Sequence, residues 1–234
     1  MSARGAPSRP AFAAPPPARS EMKPVSRPSP YAPSAAPALA RPLWTMATLS
    51  LVFMTLYALS NHLTAMRHDI GSGVFDWERS IPFAPWTIVP YLSICMFFVA
   101  SFFIGDERQT LDRHVRRLLW VLGISLACYA LCPLRFTFPR PPTSGPTGLL
   151  FEALTLLDLP YNRAPSLHIS VLLVLWLRFA DHLHGWRRVA LHAWFALIGV
   201  SVLTTYQHHV IDVPTGLAVG LLAVALTPRR LAPV

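Results

Sequence analysis

The chain has 234 residues, 53% of them hydrophobic and only 13% charged, about half the charge density of a soluble domain. Its formal net charge is +9, yet the basic residues gather beside apolar runs. That is a membrane-topology signal rather than a groove-binding surface, so nucleic acid is not an expected partner. So many long apolar runs without a polar face also argue against a soluble helical bundle.

Residues 1–42 hold eleven of the 24 prolines, with alanine, serine, five arginines and one lysine. Such a segment buries too little apolar surface to offset its ordering entropy and is expected to be disordered. It lacks the apolar core of a cleaved signal peptide. The remainder, residues 43–230, reads as one all-α, polytopic membrane domain, a bundle of six transmembrane helices. The spans are expected at 43–63, 85–105, 118–134, 166–182, 187–206 and 211–227. A full crossing takes about 20 residues, so the third, fourth and sixth are short. Short helices with polar ends suit a site sunk below the membrane surface. In the 135–165 loop, "ALTLL" suggests a short interfacial helix, and Glu152 and Asp158 on its flanks read as surface residues. Asp76, Glu78 and Arg79, before the second span, fit a head-group contact or a solvated cluster equally well. The three cysteines, Cys95, Cys128 and Cys132, lie inside spans and read as small apolar packing residues.

Lys and Arg orient the chain. Fifteen of the 20 basic residues fall on the side that holds the N-terminal tail, and five, Arg67, Arg79, Arg135, Arg140 and Arg163, fall on the other. The positive-inside rule makes the tail side cytoplasmic, in a bacterial inner membrane, with the 64–84, 135–165 and 207–210 loops on the outer, periplasmic face.

Three polar motifs reach that outer face from distant parts of the chain: "RFTFPRP" from Arg135, "NRAPSLHIS" from Asn162, and "QHHVID" from Gln207. His208 and Asp212, four residues apart, share one face of a helical turn. A carboxylate bonded to one imidazole nitrogen leaves the other free to attack, and His168 is a second imidazole available as general acid. Arg135, Arg140 and Arg163 supply planar donors matched to phosphate oxygens, and the start of the fourth helix at Ser166 favours an anion. Together they fit phosphoryl transfer through a phosphohistidine, with arginine stabilising the charge. No metal and no cofactor is expected, because clustered carboxylates or tight His and Cys sets are missing from the sequence. His209 competes with His208 for the nucleophile's role. His62, His68, His114, His182 and His184 lie near membrane boundaries and His192 within the fifth span, with no ligand role inferred.

In order, "RP", "PSLH" and "HHVID" resemble the three signature motifs of the type 2 phosphatidic acid phosphatase superfamily. The resemblance covers roughly residues 133–220, and "PSLH", "QHHVIDV" and "FDWERSIPFAPWTIVPYLS" look closest to the inositol phosphorylceramide synthase and sphingomyelin synthase branch. It implies a six-helix membrane enzyme in which Arg140 binds phosphate and Ser166 donates to it. His168 would protonate the leaving alkoxide, His208 attack phosphorus and Asp212 orient His208. The substrate would be a lipid phosphate or phospholipid, and the acceptor water or a lipid hydroxyl. Three positions depart from the family pattern. Pro133 stands where a lysine is usual, Leu167 where a glycine is usual, and Ser201 is followed by Val202 rather than arginine. Arg135 or Arg163 would then have to complete the phosphate cradle. The competing reading is a catalytically degenerate relative acting as a membrane scaffold or transporter subunit.

Overall fold

The structure, a computed structural model, describes residues 37–228 apart from residue 106. Among the described residues there are seven α-helices: α1 (Pro37–Ala65), α2 (Ile88–Ala100), α3 (Arg108–Leu131), α4 (Gly145–Leu157), α5 (Leu167–Ala180), α6 (Gly185–Thr204) and α7 (Asp212–Ala225). Among the described residues there is no β-strand, only an isolated parallel bridge between Gly71 and Leu134. Short 3₁₀ turns at Pro85–Thr87 and Ser101–Phe103 extend α2 at both ends.

Each of the six expected spans overlaps a helix, and four of these helices are long and apolar enough to cross a membrane: Leu39–Ala65, Pro85–Phe103, Arg108–Leu131 and Gly185–Thr204. The third, expected to be short at 118–134, instead begins at Arg108 and ends at Leu131. α5 and α7 are apolar but only 14 residues each. Only 11% of the most apolar window of α1 is buried, and Leu51, Met54, Leu59 and Leu63 lie on open surface. An apolar face of that extent is untenable in water, and hydrocarbon is the solvent it suits. Cys95 and Cys132 are exposed on this outer surface rather than packed inside.

The expected tail boundary needs correction, because α1 already begins at Pro37, within the segment expected to be disordered. Proline at a helix start forfeits no hydrogen bond. Arg41 then ties this turn to α3 through Asp112, 2.7 Å away. Residues 1–36, which carry the rest of that expectation, lie outside the described residues.

α5 forms the centre of the bundle. Its Val174 and Leu175 are fully buried with Leu118 and Val121 of α3, Phe195 and Ile198 of α6, and Ala223 of α7. α7 comes closest to it because two glycines one turn apart face α5. A Cβ on Gly216 would lie 2.6 Å from the Ser166 carbonyl oxygen, and one on Gly220 would lie 3.1 Å from that of Ser170. Small residues let helix backbones meet where lipid offers no hydrophobic drive. Ser170 Oγ closes the contact by donating to the Gly216 carbonyl at 2.8 Å. Gly216→Val is therefore expected to cost about 1–3 kcal/mol from overpacking and to push Ser166 away from α7. Unfolding in detergent checks this against Gly123→Ala, where a Cβ meets nothing within 4 Å. Equal stability of the two variants would refute it.

At the opposite end of α5, Arg178 is buried and donates to the carbonyls of Ser101 and Ile104, each at 2.6 Å. His114 bonds Ser101 Oγ at 2.8 Å, and His192 accepts from Trp176 Nε1 at 2.6 Å. These histidines hold helices together.

Candidate active site

The C-terminal end of α3, the N-termini of α5 and α7, the C-terminus of α6 and the loop before α2 meet at one end of the bundle. Backbone hydrogen bonds join them: Arg163 N to Leu134 O (3.1 Å), Arg135 N to Gly71 O (3.0 Å), Ser166 N to Asp212 O (3.1 Å) and Ala84 N to Thr204 O (2.9 Å). The three motifs, distant in sequence, are thus neighbours in space.

α6 ends where Tyr206 takes a left-handed conformation, φ 55°. The amides of Gln207 and His208 then turn back onto the Val202 carbonyl, at 3.2 and 3.0 Å, a helix stop that usually employs glycine. Tyrosine is held there instead by its hydroxyl, which donates to Ile81 O at 2.9 Å, and by rings of Phe83, Phe136 and Phe138. This stop turns His208 inward, where its side chain is 5% exposed.

His208 Nδ1 lies 3.1 Å from Asp212 Oδ2. A carboxylate can only accept, so Nδ1 donates, and in the neutral ring the lone pair lies on Nε2. Nε2 faces Ser166 Oγ at 3.1 Å. Ser166 is also the N-cap of α5, accepting from Ile169 N at 3.3 Å, so its hydroxyl proton is free to point at His208.

His209 is arranged differently. Its Nδ1 donates to Glu78 Oε2 at 2.9 Å, while its Nε2 accepts from the Thr137 backbone N–H at 3.2 Å. With Phe136 stacked on the ring at 4.4 Å and Phe138 edge-on at 4.9 Å, no reactive nitrogen remains. The geometry thus separates the two adjacent histidines by their bonding.

His168, the second residue of α5, stacks on Tyr91 at 4.2 Å and lies within electrostatic reach of His208. Its buried Nε2 has no protein partner. Arg163 is 4% exposed and forms an ion pair with Asp158 at 2.8 Å, and also donates to Gln207 Oε1 and the Leu159 carbonyl. Burial alone would push its guanidinium down, but Asp158, with Tyr57 and Tyr91, reverses this and holds it above its ordinary value. Arg163 Nε and Gln207 Nε2 are buried without a partner. Arg140 is half-buried over the Phe151 ring, 4.9 Å away, with Nη1 3.4 Å from Thr155 Oγ1 and Nε unpartnered. Burial, and next the neighbouring Arg163, hold it below its ordinary value. Arg135 is exposed and tied in by its backbone, whose N–H donates to Gly71 O.

The structure therefore brings His208, Asp212 and Ser166 into direct contact, with His168 and Arg163 close by, Arg140 at the edge and Arg135 outside. A groove of about 580 Å³ runs from Arg140 along Pro141, Phe151, Thr155 and Leu156. Asp158 is not the surface residue expected from sequence: it is nearly buried, taking bonds from Tyr57 at 2.6 Å and Asn61 at 3.3 Å besides Arg163. Glu78 is buried against His209 and belongs to neither a head-group contact nor a solvated cluster, whereas Asp76, Arg79 and Glu152 are exposed. Gln207, buried directly before the histidine pair, also joins the site by accepting from Arg163, a role its place in the sequence does not reveal. Among the described residues no three His, Cys, Asp or Glu side chains are grouped to hold a metal ion.

No protein-family model, curated protein or solved structure matches the chain.

Proposed function

We propose that this membrane protein transfers a phosphoryl or phospho-head-group from a lipid phosphoester through a phosphohistidine on His208. The observation that carries the reading is the division of labour between adjacent imidazoles. His208 Nε2, behind an Asp212-bound Nδ1, meets only the exchangeable hydroxyl of Ser166, whereas both nitrogens of His209 are tied to Glu78 and to the Thr137 backbone.

In the first step His208 Nε2 attacks phosphorus and the ester P–O bond breaks. His168 gives its proton to the leaving alkoxide. Asp212 stabilises the positive charge that builds on the His208 ring, and Ser166, Arg163 and Arg140 meet the phosphoryl oxygens. In the second step water or a lipid hydroxyl attacks phosphorus, its proton passes to His168, and the P–N bond breaks. The motif resemblance to type 2 phosphatidic acid phosphatases, and to their head-group-transferring branch, supports the same chemistry.

On this reading all six apolar helices cross the bilayer. Fourteen residues of helix rise roughly 21 Å, short of a ~30 Å hydrocarbon core, so α5 and α7 would hold the site below the outer surface. The charge balance supports that face lying outside an inner membrane, with the N-terminus cytoplasmic. The groove beside Arg140 would then admit a lipid head group laterally.

The contact of Ser166 Oγ with His208 Nε2 at 3.1 Å favours one further reading, in which Ser166 is the nucleophile and His208 its base. The test uses protein in detergent with a lipid phosphate labelled at phosphorus, plus diacylglycerol or ceramide. Label is expected in free phosphate for a phosphatase, or in a new lipid for a transferase. A trapped intermediate that is acid-labile means N-phosphohistidine; an acid-stable one means Ser166 and refutes the proposal. Absence of label from phosphate, new lipid and protein alike would favour the scaffold reading.

A further inference from the structure

We propose that Glu78 is a positioning residue for the His208–Asp212 pair, acting through His209; the catalytic part of this inference rests on the function proposed above. Of the charged residues on the turn Asp76–Ser80, only Glu78 is buried, with 2% of its side chain exposed. A buried carboxylate is costly unless hydrogen bonds satisfy it. Glu78 accepts three, and two come from the reactive turn: Phe75 N to Oε1 at 3.0 Å, then His209 Nδ1 and Val210 N to Oε2 at 2.9 and 3.1 Å. Thr137 N pins the His209 ring from its other nitrogen. The ring is thus a peg held between the loop before α2 and the loop after α3.

That peg is connected to the chemistry by one atom. Asp212 Oδ2, the oxygen that accepts from His208 Nδ1, also accepts from the His209 backbone N–H at 2.9 Å. Any tilt of the His209 peptide therefore moves the acceptor that sets the tautomer of His208.

A pair of apolar side chains would join the loops without burying a charge. Glu78 adds a second carboxylate beside the imidazole on which positive charge develops during transfer. Among the described residues neither Glu78 nor Asp212 is ion-paired with lysine or arginine, so both charges act on the histidines.

The experiment records the tautomers of His208 and His209 by nitrogen NMR of histidine-labelled protein, with kcat, KM and the unfolding midpoint, for Glu78→Gln and Glu78→Leu. In wild type both rings are expected as the Nδ1–H form. In Glu78→Leu, His209 loses that form, His208 becomes a mixture, and kcat falls roughly 100-fold with KM little changed. Glu78→Gln, whose amide oxygen still accepts from His209 and Val210, recovers part of both. An unaltered His208 tautomer and kcat in the folded variants would overturn the inference, with Glu78→Gln carrying the test if Glu78→Leu fails to fold. A tautomer change in a protein without phosphoester turnover would uphold the coupling and sink the proposed reaction instead.

Discussion

His208→Asn should abolish phosphoester turnover, by on the order of 10⁴-fold or more, while leaving the protein folded. Asparagine fits the imidazole's space and can still donate to Asp212, so the buried carboxylate keeps a partner. It offers no lone pair with which to attack phosphorus. Ser166→Ala separates the two nucleophile readings. If His208 attacks, the serine contributes one hydrogen bond to the phosphoryl group, and its loss costs roughly 10²–10³-fold. Loss of Ser166 would also remove the cap of α5, at about 1 kcal/mol, so its unfolding midpoint should be recorded alongside. Labelled phosphoenzyme should still accumulate in Ser166→Ala and vanish in His208→Asn. The reverse pattern would transfer the nucleophile to Ser166. Turnover that survives in His208→Asn would remove the catalytic assignment altogether.

The largest stability effect is expected from Arg163→Met. Asp158 would be left as a buried carboxylate with only Tyr57 and Asn61 to satisfy it. Breaking a buried pair by removing one partner typically costs about 3–5 kcal/mol. Asp158→Leu combined with Arg163→Met should recover much of that loss, since two apolar groups of similar size leave no stranded charge. Chemical unfolding in mixed micelles reads both values. The double variant also isolates the binding role proposed for Arg163: if it regains stability yet not turnover, the guanidinium contributes to the phosphate site as well as to the fold. A single variant as stable as wild type would show that the Asp158–Arg163 pair does not hold the loop.

Much of this was legible in the residues. Apolar runs locate the four helices long enough to cross a membrane and the two shorter apolar ones, α5 and α7, because a long apolar run suits a helix in hydrocarbon. The i, i+4 spacing places His208 and Asp212 on one turn, which the 3.1 Å contact matches. Less legible was Asp158, since an acidic residue beside a short helix ordinarily faces water. Its burial depends on Arg163, five residues on, and on Tyr57, about a hundred residues earlier. Glu78 was equally opaque: in "FDWERS" it looks like its exposed neighbours, and only the arrival of His209 from the α6–α7 turn makes a buried site for it.

Local chemistry therefore determined which segments are apolar helices, which termini carry polar motifs, and which residue types could perform phosphoryl transfer. Those properties follow from neighbours within a few positions, where propensity and periodicity act. Tertiary structure alone decided what each of two adjacent histidines meets: His208 Nε2 a serine hydroxyl, His209 Nε2 a backbone amide. His208 and His209 share the same local sequence, and their difference arises from Ser166, Glu78 and Thr137, delivered by three other segments of the chain. An imidazole's tautomer is set by whatever its two nitrogens meet, and those partners are determined by how the helices pack.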